Sequence, residues 1–509
     1  MRTILVGGIA LAVLGCSADA DTDAPEAAAS DALQVVVDHA CEEALVVSPD
    51  GDVVVFRGCD PDKSLVRRDL RSNATDVITT SRTAWWREAR KEGLIFSSDY
   101  PRFVAWRGPA VYELPTAPSV PEADAWKIRV TPSAMAYATQ EKVDRASRIA
   151  VYRSGATAPV YSAPFDTTAP SSVLLDEAAA YVASVEATDW RPTLRCAKIE
   201  EGAALTTVVL ETDLELRDPP QWVPGGTTKH GALLDVGSKL RHVDFRTCAV
   251  TDLSTRPVRT RPVGRTPQHY VLTSGERVYF VEQVSDHDLR YDQPYSGPSR
   301  DARYSVKRWD AGTPASAPVE LATGAGLLSS YRGTDHPAIQ LSPDGEYLVY
   351  DVEPANIVAG SSIRSAPTDG GAEAVLGRSS VRGFRMFAPN IVAWSDNPGE
   401  AHVVALDGSA RRDIQSPTET YYRLIVGKDA QTIFSVETTT RQQQQPYVAS
   451  RRVETMGFSG PTENLLSLPW SAIRYAESDM AEPVLDNGLL ILVNSEAEPG
   501  KRALVLLKP

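Results

Sequence analysis

The chain has 509 residues, enough for several ordinary domains or for one large β architecture, and ample for a large core. Hydrophobic residues make up 42% of it and charged residues 23%, a balance that excludes an intrinsically disordered chain. The formal net charge is −14 with no compensating basic stripe, so nucleic acid is not an expected partner, nor is electrostatic attraction to an anionic bilayer surface.

In chain order, the first segment is Met1-Arg2-Thr3 followed by a nearly unbroken apolar run from Ile4 to Leu14. One positive charge before a short apolar run describes a secretory signal peptide over residues 1–15, because a spanning helix needs about 20 apolar residues. Val13-Leu14-Gly15-Cys16 resembles the bacterial lipobox, with Leu14 where a small residue is usual. That resemblance implies cleavage before Cys16 and a diacylglycerol on its thiol, hence anchoring to a membrane through lipid. Ser17, where the family uses Asp for inner-membrane retention, points to the outer membrane of the cell envelope. Residues 16–32 then read as the lipidated cysteine and a disordered acidic tether, with Asp19, Asp21, Asp23, Glu26 and Asp31 and no Lys or Arg. The Asp19-Asp21-Asp23 spacing imitates the start of a calcium-binding loop. Ala24 stands where that loop needs Gly, and Ser30 where it needs Glu, so the reading is rejected.

From residue 33 to 509 the pattern is strand after strand. Short alternating or Val-rich runs such as Asp52 to Phe56, Arg277 to Val281 and Glu346 to Tyr350 are separated by Pro, Gly, Asp and Asn turns. The 36 prolines, spread along the chain, argue against a helical solenoid. A late strand recurs in ten units centred near Arg68, Tyr112, Val151, Ala197, Thr247, Lys307, Arg364, Val404, Ser450 and Val505, about 49 residues apart on average. That period suits a four-stranded propeller blade. Two units carry a Ser-Pro-Asp-Gly turn, at Ser48-Pro49-Asp50-Gly51 and Ser342-Pro343-Asp344-Gly345. In each, Pro sets the first central φ and Gly takes a positive φ to rejoin the next strand.

The stretch from Ile339 to Leu376 resembles the TolB-type, WD40-like β-propeller repeat. The turn is followed by Glu346 to Tyr350, then Ser362 to Pro367, the turn Thr368-Asp369-Gly370-Gly371, and Ala374-Val375-Leu376. Val403 to Ser409 repeats the latter half, and Ala44 to Ile78 the former. The resemblance implies an all-β propeller and protein partners, but no binding residue carries over. Seven or eight blades with insertions are favoured over two smaller propellers in tandem, since single propellers commonly have four to eight. Residues 211–230, with Pro219-Pro220 and Gly225-Gly226, mark the place for a division. Leu33 to Asp38 is expected to pair with Ala503 to Leu507, which would remove free sheet edges.

Four cysteines remain beyond Cys16, namely Cys41, Cys59, Cys196 and Cys248, and an even number in an exported chain suggests two disulfides. Three pairings are possible. Cys41 with Cys59 is the most local, which would leave Cys196 with Cys248.

Catalytic signatures are missing. There is no Gly-x-Ser-x-Gly, His-Glu-x-x-His, P-loop or Cys-x-x-Cys. The seven histidines, His39, His230, His242, His269, His287, His336 and His402, are scattered rather than spaced as ligands. Asp286-His287-Asp288, with Asp292 and Asp301, reads as a solvated loop before it reads as a calcium or transition-metal site. Asp335 and His336 precede the best repeat, where they cap a turn or line a channel. Trp85, Trp86, Trp106 and Trp126 suit packing between blades better than an exposed row that stacks sugars. Arg441 to Pro446 is a polar loop. No catalytic, cofactor-binding or metal-ligating residue is assigned. The expected function is a non-enzymatic interaction platform for envelope proteins. The alternatives are a hydrolase or lyase acting on polysaccharide or peptide in the channel, and a sensor of a small ligand or calcium.

Overall fold

The computed structural model describes residues 33–47, 51–58, 65–79, 84–88, 94–97, 102–107, 110–114, 129–131, 136–143, 146–153, 158–165, 171–176, 178–188, 191–210, 220–236, 239–254, 271–284, 303–328, 339–342, 344–353, 361–379, 384–388, 390–395, 400–415, 420–426, 433–439, 450–456, 462–469, 481–484, 488–494 and 502–507. These residues form antiparallel strands and turns, with no helix among them.

Nine sheets result. Sheet 1 has seven strands and contains both ends of the β region, in the order Ala481–Val484, Gly488–Asn494, Arg502–Leu507, Leu33–Val47, Val53–Gly58, Leu65–Asp69 and Thr75–Thr79. Sheets 2 to 9 follow along the chain, spanning 84–114, 129–165, 171–209, 221–252, 271–325, 327–379, 384–415 and 420–469. Each of these is a meander in which neighbours in sequence are neighbours in the sheet, save that in sheet 7 both Leu327–Leu328 and Ile339–Leu341 pair with Tyr347–Glu353. Eight of the ten repeat centres read from the sequence fall in the third strand of a four-stranded unit; Tyr112 lies in a fourth strand and Thr247 in the turn after a third. Among the described residues each repeat has its own sheet, or its own half of sheet 1.

Sheet 1 closes the fold. Leu33 pairs with Leu507, Gln34 with Leu506, Val35 with Val505 and Val37 with Leu504, as the alternation at the two ends leads one to expect. The same strand then shifts register and pairs Leu45, Val46 and Val47 with Phe56, Val55 and Val54. Val36, Val54, Phe56, Val484, Leu490 and Leu506 form one buried cluster across the seam, so the chain ends are held by packing as well as by the ladder.

Strand alternation places the core between sheets. In Tyr347–Glu353 of sheet 7, Leu348, Tyr350 and Val352 turn to sheet 6 and meet Tyr279, Val281, Tyr304 and Val306. Val349, on the opposite face, packs with Ile363 and Leu376 and with Val392, Trp394, Val404 and Leu406 of sheet 8. Both faces of the strand are buried, which is why it reads as a nearly continuous apolar run. Each such side chain contributes about 1.5–3 kcal/mol relative to exposure. Between sheets 4 and 5 the core is equally continuous. The Pro- and Gly-rich stretch at 211–230 carries the first strand of sheet 5, Gln221–Thr228, whose register breaks between Trp222 and Thr227 to accommodate Pro224-Gly225-Gly226. Trp222 lies edge-on to Phe245 at 5.5 Å and joins Ala183, Leu194 and Leu234 in a cluster shared by the two sheets.

One backbone hydrogen bond repeats six times. The amide of the residue after the third strand donates to the carbonyl of the residue before the second: Leu70 to Asp52 at 2.7 Å, Ile199 to Ala180 at 2.8 Å, Phe245 to His230 at 2.9 Å, and Ala311 to Glu276, Thr368 to Glu346 and Leu406 to Asn390, each at 2.8 Å. The turn that follows is also shared. Asp69, Asp244, Asp310 and Asp407 each accept, through Oδ1, the amide of the residue two positions on, at 2.8 Å. Such side-chain turns are a property of Asp itself.

The Ser-Pro-Asp-Gly turn at 342–345 has a relative that composition conceals. The Ser342 hydroxyl accepts the Tyr347 amide at 2.8 Å, and Gly345, at φ 77°, donates its amide to the Ser342 carbonyl at 2.8 Å. In sheet 4, Asp176 accepts the Tyr181 amide at 2.8 Å, and Ala179, at φ 48°, donates to the Asp176 carbonyl at 3.0 Å. Asp thus does the work of Ser, and Ala takes the left-handed place of Gly at a cost of roughly 1–2 kcal/mol.

Candidate functional site

In a four-stranded meander the first-to-second and third-to-fourth connections share one end of the sheet. The second-to-third connection and the link to the next sheet share the other. The recurring turns just described all lie at the first end. The longest intervals between strands belong to the second end: 285–302 inside sheet 6, 440–449 inside sheet 9, and the links 115–128, 255–270 and 470–480. Asp286, His287, Asp288, Asp292 and Asp301 fall in 285–302, and Arg441 to Pro446 in 440–449, all outside the described residues.

A further interval interrupts an innermost strand. Leu327–Leu328 and Ile339–Leu341 both pair with Tyr347–Glu353, Leu328 opposite Val352 and Ile339 opposite Tyr350. Residues 329–338, between these two strands, include Asp335 and His336 and lie outside the described residues.

At the turn end, neighbouring sheets are tied at an equivalent position, two residues before the end of the third strand, where side chains face the next sheet. In sheet 6, Arg308 donates to the Thr368 carbonyl of sheet 7 at 2.5 Å. In sheet 7, Ser365 donates to the corresponding carbonyl of sheet 8, that of Leu406. In sheet 4 the place is held by Cys196, which forms a disulfide with Cys248 in the third turn of sheet 5, Cα atoms 5.6 Å apart. In sheet 5 it is held by His242, packed against Trp309 of sheet 6 with ring centroids 4.9 Å apart. The expected Cys196–Cys248 pair is thus present. The side chain of Cys41 and residues Cys59 and Cys16 lie outside the described residues.

The densest polar cluster joins sheets 6 and 7. Glu373 Oε1 accepts hydrogen bonds from the hydroxyls of Tyr304, at 2.8 Å, and Tyr350. Its Oε2 accepts from Arg364 Nη1 at 2.7 Å, and the same nitrogen donates to the Tyr304 hydroxyl at 2.9 Å. Arg364 Nε donates to Ser362 at 3.0 Å. The two tyrosine rings meet edge-on, 5.9 Å between centroids. Tyr304 fits because Gly324 stands opposite it in the ladder; a Cβ there would lie 2.8 Å from the phenolic oxygen. Burial, then the hydrogen bond to Glu373, pushes both phenols above their ordinary range. Neither is a base near neutral pH. The cluster ties sheets 6 and 7 together.

Histidines are likewise used one at a time. His402, in sheet 8, shares a 2.6 Å contact from Nδ1 to Asp413 Oδ1, which also accepts from Arg411 Nε at 2.7 Å. Burial would raise the Asp413 carboxyl, and the bonds from His402 and Arg411 outweigh it and lower it. His230 sits in the first turn of sheet 5. No group of three or more His, Cys, Asp or Glu converges on a metal-sized site among the described residues. The side chain of His39, and His269, His287 and His336, lie outside them, as do the side chains of Trp85, Trp86 and Trp106, and Trp126. Sequence reasoning missed Glu373, Tyr304, Tyr350 and Arg364. No local pattern marked them, since the strands that carry Tyr304 and Arg364 hold many other polar residues.

No protein-family model matches the chain, and no curated protein matches it. Among solved structures it is similar to a eukaryotic initiation factor, at 11% identity and TM-score 0.39 over 82% of this chain and 92% of that one. It is similar to the WD40 domain of SCAP from fission yeast, at 10% identity and TM-score 0.34 over 94% of each chain. It is also similar to TolB from Acinetobacter baumannii, at 15% identity and TM-score 0.22 over 73% of this chain and 78% of that one. In fold the chain is all-β and of the propeller type, a succession of four-stranded antiparallel meanders whose two ends pair in one sheet.

Proposed function

We propose that the chain is a lipoprotein of the bacterial cell envelope, held to the outer membrane through Cys16, whose propeller acts without catalysis as a platform for other envelope proteins. The observation that carries the platform reading is the polarity of the sheets. Tight, repeated turns and inter-sheet ties occupy one end, and the longest connections leave from the other. A rigid scaffold that carries variable loops at one end is the arrangement in which binding surfaces are built. The Cys196–Cys248 disulfide supports export, because such bonds persist in oxidising compartments. The acidic residues after Cys16 would lift the propeller off the lipid surface.

Two measurements test the reading. Cys16→Ser is expected to move the protein from the membrane pellet to the soluble fraction; a variant that still sediments with membranes removes the lipid anchor from the proposal. In-cell crosslinking followed by purification from solubilised membranes is expected to recover the same envelope protein in independent repeats. Recovery of no reproducible partner would overturn the platform.

A further inference from the structure

The tie between sheets 5 and 6 differs from its neighbours in chemistry. At the equivalent position sheet 4 has a covalent bond through Cys196, while sheets 6 and 7 have hydrogen bonds from Arg308 and Ser365 to backbone carbonyls. Sheet 5 has His242, only 4% exposed. Its Nε2 lies 3.0 Å from the Thr228 hydroxyl of its own sheet. Toward sheet 6 it meets the Trp309 ring, within a seam of Val223, Leu233, Leu240, Val278 and Phe280. Gly231 lies against the ring, close enough that a Cβ there would be 3.0 Å from Nε2.

The charged groups around this seam are largely committed to each other. On the strand of His242 and the turn after it, Asp244 binds Arg246 at 2.6 Å. On the face of sheet 6 that turns to sheet 5, Glu282 binds Lys307 at 2.5 Å. Glu276, at the edge of that face, attracts Arg246. The first strand of sheet 5 offers the Thr228 hydroxyl, and the second places Asp235, itself buried and with a partner of its own, on the same face, opposite Leu240. An imidazolium at this place would be a charge buried against the Trp309 ring and the apolar side chains of the seam.

We propose that the seam between sheets 5 and 6 is an acid-sensitive latch: uptake of a proton by His242 opens it locally, while the Cys196–Cys248 disulfide keeps sheet 4 joined to sheet 5. The direction follows from linkage. Burial, acting first, and Arg246 lower the His242 pKa, against the pull of Asp244, to about 4 from 6.5. The closed seam thus binds the proton less readily than the open one. Its stabilisation is complete above the open-state value and is lost as pH falls from there toward the closed-state value. Between pH 7 and pH 5 the opening equilibrium is expected to rise about 20-fold.

Hydrogen exchange read by mass spectrometry on the intact protein tests this, with rates corrected for the intrinsic pH dependence of exchange. Peptides from 231–244 and from 303–310 are expected to lose about 20-fold in protection between pH 7 and pH 5, and peptides from 181–198, behind the disulfide, much less. His242→Gln keeps a hydrogen-bonding group near Thr228 and cannot titrate, so it is expected to abolish the pH dependence. His402→Gln, in sheet 8, is expected to leave it in place. Equal loss of protection in the peptides of sheets 4, 5 and 6 would overturn the latch even if His242→Gln failed to fold. So would pH dependence that persists in His242→Gln.

Discussion

Reduction of the natural protein is expected to lose about 4 kcal/mol of stability, and Cys196→Ser, Cys248→Ser and the double variant at least as much. The two cysteines are 52 residues apart, so the bond removes a large closed loop's freedom from the unfolded chain. At the equivalent position the seams between sheets 6 and 7 and between sheets 7 and 8 have a single hydrogen bond, a contact worth about 0.5–1.5 kcal/mol net. Cys196 and Cys248 are both buried, in a cluster with Leu194, Leu234 and Phe245, so the freed thiols remain packed, whereas serine adds a hydroxyl there. Guanidinium midpoints with and without reductant measure the effect. Identical midpoints for the natural protein in the two conditions would remove the bond from the account of stability.

Glu373→Ala is expected to cost about 2–3 kcal/mol, at the low end of what breaking a buried pair costs because Glu373 and Arg364 remain about a fifth exposed. The loss comes from what is left behind. Two tyrosine hydroxyls with almost no exposure and one guanidinium lose their common acceptor. Glu373→Gln retains an acceptor for the hydroxyls and gives up the charge, and is expected to cost about half as much. Thermal or denaturant unfolding of the three proteins gives the comparison. A Glu373→Ala protein as stable as the natural one would show that the apolar contacts of Tyr279, Val281, Leu348 and Val352 hold the seam without the polar cluster.

The repeat was legible because it is written in local chemistry. Ser342, Gly345 and Gly370 announce turns through their own backbone and side-chain preferences, and Glu346 to Tyr350 shows the apolar run of a doubly covered strand. Asp176 and Ala179 build the same turn from residues that do not advertise it, so that repeat was found by spacing alone. The interruption at 329–338 was invisible as such, because a strand that resumes opposite the same partner differs from a loop only in its pairing. The Pro224-Gly225-Gly226 stretch marked a division by composition, and a bulged strand uses the same residues.

The amino-acid sequence by itself determined that this chain is made of short antiparallel strands in units near 49 residues, and that its first and last strands pair, since turn residues and alternation act over a few neighbours. Tertiary structure alone decided that Glu373 gathers Tyr304 from 69 residues away and that His242 faces Trp309 of the next sheet. The physical reason is the same in each case. Those contacts are made between stacked sheets, where the partner is set by how one blade packs on the next and no local preference names it.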